Sequence, residues 1–133
     1  INEKACRLAG SHSGLNIYHE SLLDFESDIE YDLVFTAGVL IHIAPEQLET
    51  VYSTLHCLSG KYILLYEYYN PTPVALAYRG HENRLFKRDF AGELMEMFPD
   101  LCLKEYGFVY HGDPEFPDDD LNWFLMEKQG DQA

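Results

Sequence analysis

The sequence is poor in positive charge. Nine Lys and Arg stand against 23 Asp and Glu in 133 residues, a formal net charge of -14. Binding to a phosphate backbone needs a basic surface, so no nucleic-acid partner is expected. No apolar run approaches the roughly twenty residues that cross a bilayer, and no membrane partner is expected. Residues 1–13 carry charges and no apolar h-region, unlike a secretory signal. Cysteine is scarce. Cys6, Cys57 and Cys102 are far apart and odd in number, with no CxxC, so neither a zinc site nor a disulfide framework follows. No metal is expected. Cys57 and Cys102 read as small buried fillers, and a reducing cytoplasm fits best. Repeats and low-complexity segments are absent as well.

A hydrophobic content of 47% is enough for a sizeable core and argues against disorder. The length suits one domain over 1–133. The stretch from Tyr31 to Ile43 organises the rest. It starts as a strand over 31–36 whose continuous apolar run reads as buried on both faces of a parallel sheet. It breaks at Ala37-Gly38, resumes over 39–43 and meets Ala44-Pro45 at a helix start. A Gly at the carboxyl end of a strand lets another molecule approach the backbone. Ligands of open α/β sheets bind at such ends.

Around it the spacing predicts a short helix over 3–9 ending at Gly10, a strand over 15–19 and an acidic turn over 27–30. A helix is predicted over 45–58, with Pro45 at its first position and Leu48, Val51, Tyr52, Leu55 and Leu58 as its buried face. A second apolar strand follows over 61–69. Residues 70–88 read as a long connection, a length that in one domain is usually functional. Asp89 suits the N-cap of a helix over 90–98 that buries Phe90, Leu94, Met97 and Phe98. Strands over 103–110 and 121–128, joined by an acidic, proline-rich loop, are expected to pair antiparallel.

The order α-β-β-α-β-α-β-β points to an α/β fold, mostly parallel, with one antiparallel strand near the end of its sheet. That ordering resembles the class I S-adenosylmethionine-dependent methyltransferases. Ile1-Asn2-Glu3 resembles the segment after their second strand, where an apolar residue touches adenine. Leu23-Asp24-Phe25 resembles the turn whose Asp bonds the adenine amino group, and Phe35 to Ile43 resembles the fourth-strand motif at the methionine end of the cofactor. The resemblance therefore implies S-adenosylmethionine as cofactor, with Ile1, Asn2, Asp24, Phe25, Ala37, Gly38 and His42 as cofactor-binding residues.

A closer resemblance, to methylases associated with pseudaminic acid biosynthesis, rests on Glu67-Tyr68-Tyr69-Asn70-Pro71-Thr72-Pro73, Tyr78-Arg79-Gly80-His81 and Leu85 to Glu93. Tyr106 to His111 and Asp119 to Phe124 add to it. It implies methyl transfer to a sugar or nucleotide-sugar of surface glycans. The glycine-rich first motif of the superfamily is absent. The chain therefore resembles the carboxyl-terminal part of such an enzyme, a Rossmann-like sheet lacking its first strand and most of its second. An unpaired edge is then expected, with strand 15–19 pairing beside strand 31–36 or across a homodimer.

Methyl transfer from a sulfonium needs proximity and, for a hydroxyl or amine acceptor, a base near neutral pKa. His81 is the first candidate and His111 the second; each also reads as a surface imidazole. Arg79, Arg84, Lys87 and Arg88 form a basic island in an acidic chain. Its arginines suit a phosphate or carboxylate of the acceptor, though a solvated loop explains them equally. Tyr68, Tyr69 and Tyr78 could wall an acceptor pocket, Asn70 lies in the same block, and aromatics at a strand end are as often core. His42 reads either as a core histidine bonded to backbone or as part of the site, and Asp24 either as a turn residue or as the adenine ligand. The alternative to an enzyme is a non-catalytic α/β domain acting as a binding or interaction module.

Overall fold

The computed structural model describes residues 2–130. Two apolar strands carry the fold. Strand β1 (Tyr31–Ala37) and strand β2 (Ser59–Glu67) pair in parallel, with Phe35 opposite Leu64 and Ala37 opposite Tyr66. Parallel neighbours need a crossover, and helix α2 (Leu48–Leu58) supplies it. Its buried residues are Leu48, Val51, Tyr52, Leu55 and Leu58, the face that the helical spacing predicts. Strands β5 (Leu101–Val109) and β6 (Leu121–Lys128) pair antiparallel as expected, and β6 also pairs antiparallel with β2. The four-stranded sheet has the order β1-β2-β6-β5, so β1, β2 and β5 point one way and β6 the other.

Helix α3 (Phe90–Met97) leads into β5 and buries Phe90, Ala91 and Leu94. Asp89 caps it, accepting the Gly92 N–H at 2.9 Å. The core lies between α2, α3 and one sheet face, where Ile63, Leu65 and Met126 are fully buried. The opposite sheet face is bare: Leu33 is 46% and Phe35 63% exposed. Strand pairing leaves β1 at the sheet edge.

Several sequence expectations are corrected. Strand 31–36 is not buried on both faces; only the Val34 and Thr36 side faces helices, because among the described residues no layer covers the other. The run over 39–43 does not resume as strand. Gly38 turns the backbone left-handed (φ 62°), and Leu40–His42 follow as one tight helical turn. Residues 15–19 are no strand, since no ladder accepts their backbone groups among the described residues, and they do not pair with β1. Helix α1 (Glu3–Ser13) runs through Gly10 and ends at Gly14, whose left-handed φ of 69° and bond to the Gly10 carbonyl make it the true cap. The connection 70–88 is structured: β3 (Val74–Tyr78) and β4 (His81–Lys87) form a hairpin. Arg79 and Gly80, both at positive φ, make its two-residue turn. Cys57 and Cys102 are exposed, each on the side of its element turned from the core.

Candidate functional site

Because β1, β2 and β5 run in parallel, their carboxyl ends share one edge of the sheet. The topology gathers there the turn after Gly38, the 74–87 hairpin and the 110–120 loop. At the opposite edge, the His56 Nε2–H donates to the Asp100 carboxylate at 2.8 and 2.9 Å and stacks on Phe98. Lys128 Nζ bonds the His56 and Ser59 carbonyls at 2.7 and 2.6 Å. That edge is fastened by its own side chains, and the carboxyl edge is the open one.

The Gly38 N–H donates to the Tyr66 carbonyl at 2.9 Å, tying the end of β1 to β2. Its left-handed backbone turns the next three N–H groups inward. Glu67, 4% exposed at the end of β2, receives them: Oε1 accepts from Val39 at 3.0 Å and Leu40 at 3.1 Å, and Oε2 from Ile41 at 3.4 Å. A Cβ added at Gly38 would meet nothing within 4 Å, so the backbone there is open to an incoming molecule. His42 is exposed. Its Nδ1–H donates to the Arg84 carbonyl at 3.0 Å, and its ring lies 5.0 Å from that of Tyr78. The tight turn thus carries the hairpin, which also anchors itself in the core through Leu85.

The 110–120 loop closes the far side. The Tyr66 hydroxyl donates to Asp118. The His111 backbone N–H and Nδ1–H both donate to Asp120 at 2.9 Å. Desolvation and then the Asp118 bond push the Tyr66 phenol up to about 12, and burial pushes Tyr68 up as well. Hydrogen bonds from Tyr66 and from the His111 backbone hold Asp118 and Asp120 below the usual carboxylate range.

One concavity reaches this edge, and a second lies away from it along the carboxyl half of α2. The bare sheet face forms an open apolar cavity of about 540 Å³ lined by Leu33, Phe35, Ala37, Leu64, Tyr66, Trp123 and Leu125. A groove of about 470 Å³ with mixed polar and apolar walls runs along α2, lined by residues that include Asp24, Phe25, Ser53, Thr54 and Cys57.

The structure is similar to the Burkholderia thailandensis 1,6-didemethyltoxoflavin-N1-methyltransferase, solved with 1,6-didemethyltoxoflavin and S-adenosylhomocysteine. The TM-score is 0.70 at 13% identity, over 98% of this chain and 58% of that one. A second similar structure is a SAM-dependent methyltransferase of Methanosarcina mazei, with TM-score 0.63, 10% identity, and 97% and 79% of the two chains. A third is the magnesium protoporphyrin IX methyltransferase of Synechocystis with bound SAM, with TM-score 0.58, 13% identity, and 96% and 52% covered. The chain has the class I methyltransferase fold. It spans a little over half the length of the first and third of these chains. No family model matches the sequence, and no curated protein matches it.

The structure brings some of the sequence-chosen residues together and separates others. Gly38, His42 and the backbone of Arg84 meet at the carboxyl edge. Ala37 faces the bare side of the sheet. Asp24 and Phe25 line the α2 groove, which does not include Ala37, Gly38 or His42. Asn2 caps α1, accepting the Ala5 N–H at 3.0 Å. Ile1 lies outside the described residues. On the hairpin, Arg79, His81 and Arg84 are exposed, and the Arg79 guanidinium lies 5.2 Å from the Tyr78 ring. Arg88, at its base, is engaged: Nε donates to Glu93 at 2.7 Å, and Glu93 accepts from the Tyr52 hydroxyl at 2.7 Å. Burial, with that bond, raises Tyr52 far above an ordinary phenol. Tyr68 and Arg88 line a crevice of about 10 Å³, room for a water and nothing larger. Asn70 holds its own turn by donating to Thr72. Glu67 is absent from the residues that the sequence patterns single out for the site. Its signal was an acid inside an apolar strand, Tyr62 to Tyr69, where burial demands partners.

Proposed function

We propose that this chain binds S-adenosylmethionine at the carboxyl ends of β1 and β2 and serves methyl transfer to a small acidic acceptor, a sugar or nucleotide-sugar of surface-glycan synthesis. The observation that carries the reading is the Gly38 turn, open to an incoming molecule at the end of an edge strand of a methyltransferase-type sheet. When bound, the cofactor supplies an electrophilic methyl group on a sulfonium.

This chain's residues would do the rest. Gly38 and His42 support the methionine end, with Ala37 on the adjoining sheet face; for the adenine end, Asp24 and Phe25 would have to come across from the α2 groove, which is separate from the Gly38 turn. Arg79 and Arg84 draw the acceptor's phosphate or carboxylate to the hairpin, with Asn70 in the turn that leads into it; Arg88, held by Glu93, and Tyr68 line a crevice too small for the acceptor and support the hairpin's base instead. His81, on the same hairpin, takes the acceptor proton, with His111 as its understudy. Proximity and orientation supply most of the rate. Calorimetric titration tests the reading. Saturable binding of S-adenosylhomocysteine and none of NAD is expected; no heat with millimolar S-adenosylhomocysteine sinks it.

The bare apolar sheet face favours a second reading, a binding or interaction module that also self-associates through the outer edge of β1. Concentration-dependent dimerisation together with no cofactor binding selects it.

A further inference from the structure

Glu67 is a carboxylate almost wholly withdrawn from water, and no cation pairs with it among the described residues. Its compensation is three backbone N–H groups in succession, from Val39, Leu40 and Ile41, at 3.0 to 3.4 Å. Such a concavity forms where a left-handed residue precedes a right-handed one, and it attracts an anion. Gly38 at φ 62° and Val39 at φ -104°, ψ -52° are that pair. The protein fills the concavity with its own side chain, delivered from the end of the neighbouring strand.

We propose that Glu67 is a positioning residue, a clamp that sets the Gly38 turn in the conformation that receives the cofactor. This role rests on the cofactor reading above. The physical case is one of alternatives. Without the carboxylate, Val39, Leu40 and Ile41 present buried N–H groups that must find water, which they do by opening the turn. Leu40 and Ile41 are core residues, and the bond from His42 to Arg84 follows in the same turn, so opening would also loosen the hairpin. Gln at 67 keeps the size of Glu, but its amide nitrogen would oppose an N–H donor. Glu67→Gln is therefore a local perturbation of the clamp.

The experiment compares wild type, Glu67→Gln and Leu55→Ala in the full chain. Leu55→Ala removes a buried side chain of α2 and serves as the control for general destabilisation of the core. Amide exchange and S-adenosylhomocysteine titration are read on each, well below the melting point. The expected result is exchange at Val39, Leu40 and Ile41 faster by about ten-fold in Glu67→Gln, with ligand affinity lower by about ten-fold, and neither change in Leu55→Ala. Unchanged exchange at those amides overturns the clamp. Fast exchange with unchanged affinity, or an equal loss in Leu55→Ala, overturns its role in positioning. No binding by wild type overturns the functional reading, while the exchange pattern still decides whether Glu67 holds the turn.

Discussion

Thr36 and Glu67 are both polar and both buried next to the Gly38 turn, and the difference between them is satisfaction. Glu67 has three donors; the Thr36 hydroxyl has no hydrogen-bond partner among the described residues. Thr36→Val keeps the β-branched shape and removes an unpaid desolvation cost. It is expected to stabilise the protein by about 1 kcal/mol, seen as a higher denaturant midpoint at constant slope. The Tyr66–Asp118 pair makes a prediction about pH. The folded Asp118 lies below its unfolded value, so its contribution is present above about pH 4 and is lost as pH falls through the depressed value. Tyr66 lies above its unfolded value, so its contribution is present below about pH 10 and is lost as pH rises through about 12. Asp118→Asn should move the ultraviolet titration of Tyr66 down toward an ordinary phenol. An unmoved titration would mean that burial alone sets it. At Gly107 the constraint is space: a Cβ would sit 2.5 Å from the Trp123 indole, so the bare face keeps its Trp only because Gly lies opposite.

At the scale of elements, the hairpin is the unusual piece. Its tip stands in solvent while Leu85 and the His42 bond fix its base. Arg79 and Arg84 make no ion pair among the described residues, so their charge is available to a ligand. The double variant Arg79→Ala/Arg84→Ala is expected to change stability by less than about 0.5 kcal/mol and to weaken binding of a UDP-sugar, with a shallower salt dependence. Leu85→Ala removes the core anchor instead and is expected to cost about 2–4 kcal/mol in chemical unfolding. The two results together separate a ligand-binding arm from a structural flap.

For the molecule as a whole, the sheet is covered on one face and bare on the other. An apolar cavity of about 540 Å³ with Phe35 63% exposed is the kind of surface that binds a partner or aggregates. The net charge of -14 opposes close approach of identical copies but leaves the apolar face itself unprotected. Leu33→Lys/Phe35→Lys is expected to abolish binding of an apolar dye and lower light scattering, with thermal stability nearly unchanged. Unaltered dye binding would place the exposed apolar surface elsewhere.

Local pattern alone determined a good part of this. The five-residue apolar face of α2, the Asp89 cap, the final antiparallel pair and the break at Gly38 each follow from short-range rules of spacing, capping and turn chemistry. Tertiary structure decided what depends on partners distant in sequence. Leu15 to His19 alternates like a strand, but an alternating segment becomes a strand only when a ladder takes its hydrogen bonds. The β1 run reads as doubly buried, yet burial needs a second layer, and one face has none among the described residues. Asp24 and Gly38 resemble parts of one site, yet their separation follows from how the 22–28 segment lies along α2. Glu67 shows the same limit. Its sequence context marks an acid that must be satisfied, but only the parallel pairing of β1 with β2 brings that acid to the three amides of the Gly38 turn.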